Sequence, residues 1–234
     1  MARDAGSRRE EPRRTLHPGP RGPVLTTSQR GGAPLHPRRL TIDDIADLRA
    51  YERERQEFRA SVIALKKRRR VHVGDLVTLL FENRDTIRFQ IQEMARVEKL
   101  ITDEAIQGEL DVYNPLIPLP GTLSATLFLE LTTDAELRTW LPKLVGIERS
   151  LVLHLGDGEA AATVRAFPEE AHAAQLTREE ITASVHYVRW ELTAAQIDAL
   201  ERGPARLAVD HPDYQESTEL SADTRAELLA DLRD

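Results

Sequence analysis

Glu93 and Glu98 are the residues of this 234-residue chain whose placement most demands a chemical explanation. On a helix turning about 100° per residue, Ile87, Ile91, Met94 and Ile101 form one apolar stripe, and Glu98 falls in its middle. Phe89, Val97 and Leu100 form a second stripe, and Glu93 falls inside that one. A carboxylate carried into an apolar interface must be ion-paired, protonated or bound to a metal, because an isolated buried charge is very costly. Arginines stand nearby in the chain at Arg55, Arg59, Arg69, Arg70 and Arg84. With Glu82, Glu93 and Glu98 they are expected to form a buried charge network. The alternative is a metal-dependent enzyme in which Glu82, Glu93 and Glu98 supply hard oxygen ligands to iron or manganese. The Glu-x-x-His pair of di-iron bundles is missing, since Arg96 follows Glu93 three positions on. No metal site and no cofactor are therefore assigned.

A second candidate is the basic run Lys66, Lys67, Arg68, Arg69 and Arg70. Lysine and arginine contacts to phosphate dominate polyanion binding, so this run is a candidate anion site. It comes without a Gly-rich phosphate loop or a nucleic-acid motif, and aromatic residues make up 5% of the chain. Pairing with acids of the following helix is the stronger expectation, and nucleic acid is not the expected partner. The histidines His17, His36, His72, His154, His172, His186 and His211 are dispersed, without the spacing of a zinc site. Asp210-His-Pro-Asp213 reads as a turn. Nucleophile-elbow, Walker A and dinucleotide fingerprints do not occur. The chain has no cysteine, which excludes disulfides, thiol catalysis and Cys-ligated clusters within it.

The elements that must position these residues are legible in outline. Thr41-Ile-Asp-Asp44 resembles a capped helix start, and helical spacing through Ile45, Leu48, Tyr51, Phe58, Val62 and Leu65 ends at the basic run. Val71–Phe81 reads as a buried strand, and residues 86–104 as a helix covered on two sides. Tyr113–Gly121 is a Pro-rich loop, and Leu123–Leu131 alternates as a strand. Capping boxes begin short helices at Thr133 and Thr193, and Thr177 begins another. Leu151–Leu155 and Ala160–Ala166 read as a hairpin around Gly156-Asp-Gly158. Val185–Leu192 and Arg206–Val209 read as strands, and a final helix starts near Ser221. Hairpin-like strands interrupted by helices indicate an α+β fold: a mainly antiparallel sheet with an Arg-rich helix and a Glu/Gln-bearing helix packed on it.

Residues 1–40 differ from the rest. They contain nine Arg against three acids and no hydrophobic run longer than Val24–Leu25. They are expected to be a disordered basic tail preceding a single α+β domain over 41–234. The whole chain carries a formal charge of −7, so the acids lie mainly towards the C-terminus. No stretch approaches the ~20 apolar residues that span a bilayer, and no apolar run follows the twin-Arg pairs Arg8–Arg9 and Arg13–Arg14. A soluble, cytoplasmic protein without a membrane partner is expected.

Four strings carry a family resemblance. They are Phe58-Arg-Ala-Ser-Val-Ile-Ala-Leu-Lys-Lys-Arg-Arg-Arg70, Phe81-Glu-Asn-Arg-Asp-Thr86, Phe89-Gln-Ile-Gln-Glu-Met94 and Leu123-Ser-Ala-Thr-Leu-Phe128. Together with Val185-His-Tyr-Val-Arg-Trp190 they resemble the uncharacterised bacterial domain of unknown function 3501, over residues 41–234. The resemblance implies a setting and no reaction. Such proteins are often encoded beside a rubrerythrin-like protein and an iron–sulfur oxidoreductase, which implies an accessory role in oxidative stress. It transfers no catalytic residues.

Overall fold

A computed structural model describes residues 36–157, 161–169 and 181–233. The helix expected from Thr177, the residues His17 and His172, Gly158 of the hairpin turn and most of the N-terminal tail lie outside them. The last tail residues are not loose. Leu40 is 1% exposed, its backbone is held by Asn114, and Arg38 and Arg39 donate to the carbonyls of Pro118 and Ile117. Residues 38–40, expected in the tail, are thus held against the body, with Leu40 as the apolar anchor.

Thr41 caps a single 3-10 turn, Ile42–Asp44, through a reciprocal bond with Asp44. The chain then breaks, and α1 (Leu48–Arg69) starts at Asp47, whose carboxylate accepts from the amides of Arg49 and Ala50. Asp47 is a better N-cap for this helix than Thr41, so the helix expected from Thr41 begins one turn and a bend later. At about 1.5 Å per residue α1 spans roughly 33 Å, and it buries only Tyr51, Val62 and Arg69 fully.

The strand expected over Val71–Phe81 is a tight hairpin of β1 (Arg70–Val73) and β2 (Val77–Phe81). Gly74, at φ +62, makes the turn. It also lets the Tyr214 hydroxyl approach, since a Cβ there would lie 2.3 Å from that oxygen. Asp75, the residue that broke the strand pattern, sits in this turn. The next helix is likewise two. α2 (Arg84–Glu98) is capped by Asn83 and Thr86 and ends at Lys99 in the left-handed conformation. α3 (Asp103–Tyr113) starts anew on the Thr102 hydroxyl. A single helix over 86–104 is thereby ruled out, and α3 was not anticipated.

β3 (Thr122–Leu129) pairs with β2 and with β7 (Val185–Glu191), and β7 pairs with the short β6 (Phe167–Pro168). The result is a five-stranded antiparallel sheet, β1-β2-β3-β7-β6. The second sheet, β5-β4-β8-β9, joins β4 (Leu151–Leu155), β5 (Ala162–Arg165), β8 (Ala205–His211) and β9 (Tyr214–Glu219). Asp210-His-Pro-Asp213 supplies the β8–β9 turn. Between β3 and β4 lies α4 (Asp134–Trp140); α5 (Ala194–Arg202) follows β7, and α6 (Ala222–Arg233) closes the fold.

Alternation sorts the five-stranded sheet into two faces. Leu79, Phe81, Leu123, Ala125, Leu127, Val188 and Trp190 point into one core shared with Leu151, Leu153, Leu207 and Val209 of the other sheet. The opposite face carries Arg70, His72, Thr78, Leu80, Ser124, Thr126, Tyr187 and Arg189. A smaller apolar cluster of Ile87, Ile91, Ile106, Leu110, Tyr113 and Leu116 covers it from α2 and α3, with Leu40 and Tyr187 included. The observed class is the expected α+β arrangement, with the Arg-rich and Glu/Gln-bearing helices packed on an antiparallel sheet. None of the helices among the described residues is long and apolar enough to cross a membrane.

Candidate functional site

Most of the charged residues singled out in the sequence lie along α1, where it faces α2, α6 and the five-stranded sheet. Glu93 points from α2 to the N-terminal half of α1. Tyr51 donates to Glu93 Oε1 at 2.6 Å, and Arg55 forks onto both oxygens at 2.7 and 2.9 Å. Burial alone would raise the Glu93 carboxyl, but the bonds from Arg55 and Tyr51 outweigh it and hold the group below its ordinary value. Burial, then the same carboxylate, pushes the Tyr51 phenol well above its usual range. Next to Glu93, the buried Gln92 bonds both the carbonyl and the amide of Ala46. Arg84 pairs with Asp44 at 2.5 Å, and Arg88 donates to the Asp44 carbonyl. The segment 42–47 is thus docked on α2 by polar contacts.

At the other end of α1, Arg69 is fully buried. It donates to the carbonyls of Phe81 and Glu82 at 2.9 and 3.1 Å, to Glu227 at 3.2 Å, and pairs with Asp231. Arg68 joins it on Glu227 at 2.6 Å. These bonds fasten the basic helix end to α6 and to the end of β2. Burial still raises the Asp231 carboxyl, with Arg69 opposing.

Glu82, 2% exposed, has both oxygens occupied by hydroxyls, from Thr86 at 2.5 Å and Thr126 at 2.6 Å. Its charge acts on its surroundings: it opposes the burial that lowers Lys66, and it adds to the burial and the Tyr113 interaction that raise Tyr187. The Lys66 ammonium lies 5.3 Å from the centroid of the Phe89 ring.

The eight residues expected in one network therefore divide. Arg55 and Glu93 meet; Arg69 and Glu82 meet only through a backbone carbonyl; Arg84 serves Asp44; Arg70 makes no hydrogen bond or ion pair among the described residues. Arg59 and Glu98 are exposed and stand outside the network. Glu98 closes the last turn of α2 beside the helix break at Lys99, where Val97 is 61% and Ile101 82% exposed while Leu100 stays against the smaller apolar cluster. The anion run divides too. Lys67 is exposed, Arg68 and Arg69 face acids of α6, and Lys66 and Arg70 turn towards α2 and the sheet.

The principal acids proposed as metal ligands do not converge. Glu82 and Glu93 have both oxygens bonded by side chains of this chain, and Glu98 is on the surface. Among the described residues no group of three or more His, Asp or Glu side chains is placed to hold a metal ion.

Sequence reasoning missed one buried polar group. Glu148 and His186 are 4% and 2% exposed, and one Glu148 oxygen has no hydrogen-bond partner among the described residues. His186 Nε2 lies 2.9 Å from both the Thr182 hydroxyl and the Ala183 carbonyl. Burial lowers the His186 pKa, with Glu148 opposing. The inward alternation of Val185–Trp190 was a usable signal for His186. Glu148 sits in a 3-10 turn, Ile147–Arg149, that no periodicity marks.

A two-sheet α+β scaffold with its helices locked on by buried ion pairs is the class this fold and site define. The chain belongs to the family described as protein of unknown function (DUF3501), whose model matches residues 39–232. It is similar to a solved structure, a novel protein of unknown function from Burkholderia pseudomallei K96243. The two share 40% sequence identity at a TM-score of 0.75, over 83% of this chain and 99% of that one. No curated protein matches it.

Proposed function

We propose that this chain is a cytoplasmic, non-catalytic accessory or adaptor protein in a redox or oxidative-stress system, working with a rubrerythrin-like protein or an iron–sulfur oxidoreductase. The observation that carries the non-catalytic part is the occupancy of the carboxylates. Glu82 and Glu93, the acids best placed to ligate a metal or move a proton, each have both oxygens taken by fixed donors of the same chain. Groups held in this way organise helices. The redox setting rests on the family resemblance and its encoded neighbours. An adaptor also needs surface, and the side of α1 turned from the body offers Arg53, Gln56, Ala60, Ile63 and Lys67, all exposed.

The test is crosslinking followed by purification of the native chain from its host. Recovery of a rubrerythrin-like protein or an iron–sulfur oxidoreductase is the expected result; repeated recovery of neither would overturn the partner assignment. Elemental analysis of protein expressed with added iron or manganese separates the metal-enzyme alternative. Less than about one-tenth of a metal ion per chain is expected, and near-stoichiometric metal would replace the accessory reading with a carboxylate-metal enzyme.

A further inference from the structure

Lys66, Lys67 and Arg70 are the members of the basic run without an acceptor among the described residues; Lys67 is exposed to water, whereas Lys66 and Arg70 are not fully so. Arg70 is the first residue of β1, and its register opposite Leu80 places it on the polar, helix-covered face of the sheet. Lys66 stands one helical turn earlier, so the two side chains share a side of the chain. Both are half-buried. Neither makes a hydrogen bond or ion pair with any described residue, and the Arg70 Nε is buried with no partner. Two other guanidinium groups have an unpartnered buried nitrogen, but each is bonded elsewhere: Arg38 to the Pro118 carbonyl and Arg189 to the Pro115 carbonyl. Glu82 is the neighbouring acid, and its oxygens are committed to Thr86 and Thr126. Burial lowers the Lys66 pKa, Arg70 lowers it further, and Glu82 opposes both. Two adjacent cations drawn partly out of water with no acceptor are unfavourable by themselves, and a bound anion removes that cost.

We propose that Lys66 and Arg70 form a binding site for a small oxyanion, a phosphate or carboxylate group, between the C-terminal end of α1, β1 and α2. The planar Arg70 guanidinium supplies directional donors and Lys66 a point charge, the combination that recognises such groups. The Phe89 ring under the ammonium holds Lys66 towards this position. Arg68 and Arg69 take no part, because Glu227 and Asp231 already hold them.

The full chain, titrated with inorganic phosphate and separately with acetate at constant ionic strength in chloride, tests this by thermal unfolding. With the anion at about ten times its Kd, the midpoint is expected to rise by about 3–5 °C in at least one series. The rise should vanish in Lys66→Met and in Arg70→Met and persist in Arg59→Gln, which alters an exposed arginine of the same helix. In chloride alone, Lys66→Met should melt at or above the unsubstituted protein. The proposal is overturned if neither anion acts beyond chloride, or if Lys66→Met keeps the full response. Should Arg70→Met fail to fold, Lys66→Met alone decides the matter.

Discussion

The two ends of α1 carry the same kind of residue into opposite circumstances. In its N-terminal half, Arg55 meets Glu93 in a two-point fork, with Tyr51 as a further donor. At its C-terminal end, Arg69 finds two backbone carbonyls and two acids, while Lys66 and Arg70, three positions before it and one after, find none. A basic run is thus not one site. At about 100° per residue, successive side chains leave the helix in different directions, and each environment is set by what lies there. Towards α6 there are acids, and towards α2 and the sheet there is an acid already bonded to threonines.

This contrast can be broken most forcefully at Arg69. Arg69→Met leaves Asp231 buried without its cation and strands two carbonyls. Urea unfolding should show a loss of about 3–5 kcal/mol, and Arg69→Lys should recover little, since an ammonium cannot span the four acceptors. Glu93→Gln attacks the other end. Arg55 is 27% exposed and regains water, so a smaller loss of about 1–2 kcal/mol is expected. The same variant has a pH signature. The Glu93 carboxyl titrates lower when folded than when unfolded, so its contribution is complete above the unfolded value of about 4.3 and disappears as pH falls through the lower folded value. The unsubstituted protein should therefore lose more stability than Glu93→Gln in acid below that point. Thr126→Val removes one of the two hydroxyls on Glu82 and should cost about 1 kcal/mol. Lys66→Met should be the smallest effect and opposite in sign, a gain of about 0.5 kcal/mol in chloride, because it removes a half-buried charge that has no hydrogen-bond acceptor among the described residues. One cooperative urea transition is expected throughout, since both sheets contribute to the same core.

Much of this was legible in one dimension, for local reasons. Capping boxes at Thr133 and Thr193 begin helices as read, because cap bonds span only three residues. The β4–β5 hairpin was marked by its turn, and Glu93 by its position on an apolar stripe. The failures share a cause. Val71–Phe81 was read through Gly74-Asp75, and 86–104 through Lys99, because apolar residues continue past both breaks. Nothing in the local pattern shows that the chain reverses at one and turns left-handed at the other. β9 escaped notice because Gln215, Glu216 and Ser217 are too polar to announce a strand; it exists because β8 offers it an edge.

The sequence by itself determined the α+β class, the Arg-rich and Glu/Gln-bearing helices, the burial of Glu93 and the need for its charge to be met. Tertiary structure alone decided which cation meets it, that Glu82 faces two threonines, that Glu98 is released to solvent, and that Arg69 is claimed by a helix more than 150 residues later while Lys66 and Arg70 are left unpaired. The physical reason is range. Periodicity and capping are set by neighbours within a turn, whereas the partner of a buried charge is whatever distant segment the packing of the sheets brings within hydrogen-bonding distance.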